Sequence, residues 1–88
     1  MPTILLVMGW RFFFYSNEDN EPIHIHAAKG EKRCKFWLEP ESFGVVEAYS
    51  RAMSPRDKRQ VIKIIIDNFE YIERIWKKYQ RKKYNGQR

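Results

Sequence analysis

Cysteine occurs once in the 88 residues, which excludes an internal disulfide framework and any zinc site built on a cysteine cluster. A lone thiol fits a reducing compartment, and the cytoplasm is the expected location. Long apolar runs are also missing: the longest, Ile4 to Met8, falls far short of the roughly 20 residues a membrane span needs. No basic stretch precedes it, so the residues support neither membrane insertion nor secretion. Acidic charge is in the minority, with 11 Asp and Glu against 17 Lys and Arg, for a net charge of +6. The length allows one small domain, residues 1–84, followed by a loose end over 85–88.

An apolar fraction of 43% beside 32% charged residues is a globular composition. Aromatic residues supply 16%, as 3 Trp, 5 Tyr and 6 Phe, and bulky rings let so short a chain bury enough area to fold. The cations are unevenly placed. Residues 1–44 hold five basic and six acidic residues, net −1, whereas residues 45–88 hold twelve and five, net +7. Within the second half, Arg74-Ile75-Trp76-Lys77-Lys78-Tyr79-Gln80-Arg81-Lys82-Lys83-Tyr84 interleaves basic and aromatic side chains, the two chemistries that contact phosphates and stack on bases. The same run also reads as a helix whose Trp76 and Tyr79 are core and whose lysines are solvated.

Thr3 to Met8 is β-branched and apolar enough for a strand, and Trp10 to Tyr15 resumes after Gly9, as two strands joined there or one with a bulge. Ser16 to Pro22 is a turn-rich, exposed loop. Ile23-His24-Ile25-His26-Ala27 alternates, Lys29-Gly30 reads as a tight turn, and Lys32 to Leu38 returns as the second strand of a hairpin. Pro40 to Ser42 breaks the sheet and Phe43 to Ala48 adds a short strand. Ser54-Pro55-Arg56-Asp57 has the layout of a helix start, with a hydroxyl at the cap, proline first in the helix and an acid three residues after the cap. Val61, Ile65, Phe69, Ile72, Trp76 and Tyr79, widened by Ile62 and Ile66, then form one apolar stripe. Arg59, Lys63, Asp67, Glu70, Arg74, Lys77 and Arg81 lie opposite. The expectation is an α+β fold: a small antiparallel sheet of β-hairpins against one long C-terminal amphipathic helix, Ser54 to Lys83.

Residues two apart in a strand share a face, which places His24 and His26 together on the outer side with Ile23, Ile25 and Ala27 toward the core. A turn at Lys29-Gly30 pairs Ala28 with Glu31, His26 with Arg33, Ile25 with Cys34 and His24 with Lys35. Each imidazole then faces a cation, which disfavours its protonation, and Cys34 becomes a buried, inert thiol. Three readings follow. Two imidazoles on one face can chelate a metal, completed by Glu47, Asp19 or Glu41, although zinc wants three or four ligands and the neighbouring cations repel it. His24 and His26, with Lys35, can act as acid and base on an RNA backbone flanked by Arg11 and Arg33, without metal or other cofactor. Alternatively the face only binds, as a platform with Tyr15 and Trp37 beside the bases.

The residues also carry a family resemblance. Met1-Pro2-Thr3-Ile4, Gly9, Arg11 to Glu18, Asn20-Glu21-Pro22, His24-Ile25-His26, Lys35-Phe36-Trp37-Leu38 and Ser54-Pro55-Arg56 resemble the small bacterial and archaeal proteins catalogued as domain of unknown function 4160. The resemblance runs to about Tyr79, and Ile23 stands where members usually show a second proline. It implies a small prokaryotic cytoplasmic protein, often encoded beside another short protein in a layout suggesting a toxin-antitoxin pair. It implies no established reaction, and places only His24, His26 and Lys35 on the functional face.

The expected function is nucleic-acid binding, RNA rather than DNA, with the chain as the toxin-like, metal-independent ribonuclease of a two-protein module. Arg11, Tyr15, Arg33, Trp37, Arg74, Lys77, Lys78, Arg81, Lys82 and Lys83 are the candidate contacts, and His24, His26 and Lys35 the candidate catalytic groups. The rival is an interaction module without catalysis, in which the helix docks a neighbouring gene product or a second copy through Trp76 and Tyr79.

Overall fold

A computed structural model of the chain describes residues 3–15 and 21–85, with side chains up to residue 80. The loop expected at Ser16 to Pro22 therefore falls outside the described residues as far as Asn20, and so does the expected loose end beyond Asn85. Five strands, β1 (Thr3–Val7), β2 (Trp10–Phe13), β3 (His24–Lys29), β4 (Lys32–Glu39) and β5 (Gly44–Arg51), form one antiparallel sheet in sequential order. Two helices follow, α1 (Pro55–Asp67) and α2 (Phe69–Asn85). The fold is thus α+β. Among the described residues no helix is long and apolar enough to cross a membrane.

Turn chemistry sets the register. Val7 pairs with Trp10, and the two residues between them, Met8 and Gly9, have φ of 53° and 83°. Positive φ at both central positions is the type I′ signature, whose twist matches the flanking strands, so Gly9 marks a hairpin and not a bulge. In the next hairpin Lys29 pairs with Lys32 around Gly30 (φ 60°) and Glu31. The expected turn at Lys29-Gly30 is therefore one residue too early, because Gly30 supplies the positive φ at the first central position. His26 consequently faces Lys35, His24 faces Trp37, Ala27 faces Cys34 and Ala28 faces Arg33. The pairing moves by two positions, and an even shift keeps every side chain on its expected face.

The inner face of the sheet carries the core. Trp10, Phe12, Phe14, Ile25, Ala27, Cys34, Phe36 and Leu38 pack with Val61, Ile64, Ile65, Phe69, Ile72 and Trp76 of the helices. Polar ties fix α1 on the sheet: the Trp10 indole donates to Gln60 (2.8 Å), Lys32 to Asp57 (3.1 Å), and Lys58 lies 3.4 Å from Glu47. β5 runs three residues past the expected Ala48. A bulge opposite Lys35 and Phe36 places Tyr49 across from Lys35, and Arg51 across from Arg33.

The helical half differs from expectation: there is no single helix from Ser54 to Lys83. At Asn68 the backbone turns to φ −121°, ψ 21°. Its side-chain amide donates to the Ile64 carbonyl at 2.8 Å, the acceptor its own backbone N–H also reaches at 3.1 Å. Local side-chain bonding of this kind competes with the helical ladder. The Asn68 carbonyl then accepts from Ile72 N (2.9 Å), so the second helix starts where the first stops. Within α1 the buried stripe is Val61, Ile64 and Ile65, and Ile66, expected in the stripe, is exposed.

The start of α1 is as expected, with Ser54 Oγ accepting from Asp57 N (3.1 Å) and Asp57 accepting from Ser54 N (3.0 Å). The Ser54 N–H, then the Lys32 ammonium, hold the Asp57 carboxyl below its ordinary 3.8. A carboxyl depressed in the folded state stabilises fully above its unfolded value and loses that contribution as pH falls through the folded one. Ser54→Ala is expected to cost about 1 kcal/mol in chemical denaturation. The deficit of Asp57→Asn against the wild type should be present at neutral pH and shrink in acid below pH 3.8, and a deficit unchanged with pH would contradict the capping account.

Candidate functional site on the outer face of the sheet

The outer face is organised in cross-strand rows. Leu6, Arg11, Ala28, Arg33 and Arg51 are successive partners in one row, and Thr3, Phe13, His26, Lys35 and Tyr49 in the next. His24, Trp37 and Val46 form a third. Neighbouring strands lie about 4.8 Å apart and rows about 6.6 Å apart. Strand pleating therefore gathers into one patch Arg11, His24, His26, Arg33, Lys35 and Trp37, as the alternation of β3 and β4 implied.

One expectation about this patch is overturned: the histidines are not exposed. His24 is 0% and His26 3% accessible, and Lys35 is 8%. The cover comes from rings. Phe13 stacks on His26 at 5.6 Å, Tyr15 meets it edge-on at 4.4 Å, and Tyr49 lies 6.4 Å away. His24 is met by Trp37 at 5.5 Å and Trp76 at 4.9 Å, and by His26 at 5.1 Å. The chain's high aromatic content thus does two jobs, filling the core and roofing the opposite face.

Polar groups under this roof are matched. His24 Nδ1 lies 2.9 Å from the Pro22 carbonyl, which only accepts, so Nδ1 carries the proton and the tautomer is set. Lys35 Nζ donates to Glu21 Oε1 at 2.5 Å and lies 4.4 Å from the centre of the Trp37 ring. The same Glu21 oxygen is 3.8 Å from His24 Nδ1. Around the edge the surface is cationic and open. Arg33 and Arg51 are exposed, and with Tyr15, Tyr49 and Ser50 they line a shallow cleft of about 430 Å³. The Arg33 guanidinium is steadied by the Gly30 (2.6 Å) and Lys32 (2.8 Å) carbonyls, and Arg11 stacks on Phe13 at 4.5 Å.

The other expected contacts sit elsewhere. Arg74, Lys77 and Lys78 are exposed on α2, whose apolar side packs in the core, and Lys77 pairs with Glu73 at 3.2 Å. They do not join the sheet patch, and the side chains of Arg81, Lys82 and Lys83 lie outside the described residues. Trp76 is buried between Phe14 (5.1 Å) and His24, and Tyr79 is partly buried against the core, so Trp76 is already covered within the chain. Among the described residues no group of three or more His, Cys, Asp and Glu side chains is arranged to hold a metal ion. Sequence reasoning missed Glu21, Tyr49 and Arg51. The alternation Tyr49-Ser50-Arg51 was the available signal for the last two, since it continues β5 past Ala48.

The geometry defines a class: a five-stranded antiparallel meander backed by two helices, with basic and aromatic side chains on the sheet face opposite them. The family model for a domain of unknown function (DUF4160) matches residues 9–77, and the chain belongs to that family. No curated protein and no solved structure matches it.

Cys34 is buried, its Sγ 3.8 Å from the Ala27 carbonyl, and burial pushes its thiol up to about 12. Native protein at pH 8 should therefore resist alkylation, and labelling should appear only with unfolding. Rapid modification of folded protein would contradict the packing. His26→Ala, which empties a ring-lined position, should lower stability by about 2 kcal/mol or more in urea titration. A loss within experimental error would show that the roof is not as tight as described.

Proposed function

We propose that the outer sheet face binds single-stranded nucleic acid, RNA in preference to DNA. The observation that carries this reading is the arginine row Arg11, Arg33 and Arg51, set beside Tyr15, Tyr49 and Trp37 on the sheet face away from the core. Guanidinium groups present planar, bidentate donors to phosphate oxygens, and exposed rings take unstacked bases without demanding a sequence. Single strands fit such a face better than a duplex, because their bases are free to stack on side chains, and tyrosine hydroxyls suit the 2′-hydroxyl that marks RNA. The net charge of +6 adds long-range attraction for a polyanion.

Binding is favoured over cleavage. His24 and His26 are 0% and 3% accessible, and a base that must take a proton from a 2′-hydroxyl has to be within hydrogen-bond reach of it. The imidazoles serve here as buried supports for the patch.

The test is the salt dependence of binding to a short single-stranded RNA. Each phosphate neutralised contributes a slope of about 0.7 in log K against log salt, so Arg33→Ala and Arg51→Ala should each weaken binding and flatten the slope by about 0.7. Arg33→Glu with Arg51→Glu should abolish binding, while Arg74→Ala should leave the slope nearly unchanged. Salt-independent binding, or equal losses at Arg74 and Arg33, would contradict the sheet-face reading.

A further inference from the structure

We propose that the cross-strand pair Arg33 and Arg51 is a subsite for a dianionic phosphoryl group, and that it takes the terminal phosphomonoester of a strand in preference to an internal phosphodiester. The proposal rests on the nucleic-acid reading above and deepens it, by naming which phosphate the cleft selects.

Two like charges set opposite each other carry the inference. Arg33 and Arg51 are direct partners across β4 and β5. Their Cβ atoms therefore lie about 5 Å apart, a placement that is unfavourable for two cations. Among the described residues neither guanidinium is paired with a carboxylate, and Glu47, on the same β5, is engaged by Lys58 and Ser50 instead. Lys32 with Asp57 and Lys63 with Asp67, by contrast, are matched. Both arginines are exposed and line one cleft of about 430 Å³.

The hydrogen bonds of Arg33 give the pair a direction. Its two bonds to the backbone, to the Gly30 carbonyl at 2.6 Å and the Lys32 carbonyl at 2.8 Å, both come from Nη1. The Nε and Nη2 groups, whose N–H bonds run parallel along the other edge of the guanidinium, are left for a ligand. Such a fork fits two oxygens of one phosphoryl group. Anchoring by the turn carbonyls also reduces the side-chain ordering that binding would otherwise require.

Charge matching selects the ligand. A phosphodiester carries one negative charge, whereas a phosphomonoester carries about −1.5 to −2 near pH 7 and three strong acceptor oxygens. Arg11, in the same row, faces Ala28 and not another arginine, so it is a single cation and suits a diester. The Arg33 and Arg51 pair brings two charges to one place, which a dianion neutralises and a diester leaves half unmet. The cleft volume lies within the roughly 300–1,000 Å³ typical of small-ligand sites, room for one terminal nucleotide. Tyr15, held edge-on by Phe13 at 5.2 Å and His26 at 4.4 Å, lines the same cleft and supplies an aromatic wall for the terminal base. No bond is made or broken.

The experiment measures, at fixed salt, the affinity for one short single-stranded RNA prepared with a 5′-phosphate, with a 3′-phosphate, or with hydroxyls at both ends. A terminal phosphate should tighten binding at least about tenfold over the hydroxyl-ended strand, and the end that gives the gain names the source. Methylating that phosphate, which keeps the phosphoryl group but removes one charge, should lose most of the gain. Arg51→Ala should bring the ratio of the two affinities close to one. Arg33→Lys, which keeps the charge but not the fork, should cut it severalfold, while Arg11→Ala should weaken both strands alike and leave the ratio unchanged. Equal binding of phosphorylated and hydroxyl-ended strands, a methyl ester that keeps the full gain, or a ratio that survives Arg51→Ala would overturn the proposal. Equal binding that still depends on Arg33 and Arg51 would leave the sheet-face reading standing and remove this one. Amide shifts at Arg33 and Arg51 on adding inorganic phosphate, without any binding of RNA, would keep the subsite and remove the nucleic acid as its source.

Discussion

A strand sends alternate side chains to opposite sides, and β3 buries both of its sides, one against the apolar core and the other under a set of rings that includes Trp76 of α2. Ile25 and Ala27 face a conventional core. His24 and His26, on the other side, lie under Phe13, Tyr15, Trp37, Tyr49 and Trp76. The rest of the outer face follows from that constraint. Once an imidazole and an ammonium lie under a ring roof, each needs a partner in low dielectric, and for His24 and Lys35 the segment entering β3 supplies the Pro22 carbonyl and the Glu21 carboxylate.

This gives the outer face a layered electrostatic design. Buried rings and an ion pair lie beneath, while the exposed charge of Arg33 and Arg51 is left at the margin beside Tyr15 and Tyr49. Charged groups at a rim steer and hold a polyanion more than they stabilise the fold. The cationic surface of α2 is a separate matter: Arg74 lies 5.8 Å from the centre of the Tyr71 ring and Lys77 is engaged by Glu73, both on the layer behind the sheet.

Much of this was legible in the residues, because the signals were local. The Ser54 to Asp57 cap, the hairpin around Gly30 and the shared face of His24, His26, Arg33 and Lys35 all follow from spacing within a few residues. Even the misplaced turn left the faces intact, since an error of two positions preserves strand parity. What could not be read was long-range. Alternation assigns His24 and His26 to the outer side but does not say that rings from β2, β4, β5 and α2 close over them. Asn68 sits in an unbroken helical pattern, and only its side-chain bond to Ile64 shows why the helix divides there. Glu21 looked like one acid in a turn-rich loop, and its importance lies in a pairing 14 residues away.

The central claim is that the working surface is the sheet face and not the basic helix. Amide shift mapping of the folded chain with a short single-stranded RNA tests it most directly. Perturbations are predicted to concentrate at Arg11, Arg33, Lys35, Tyr49 and Arg51, across β2, β4 and β5. Shifts confined to Arg74, Lys77 and Lys78 on α2, with the sheet unmoved, would contradict the account.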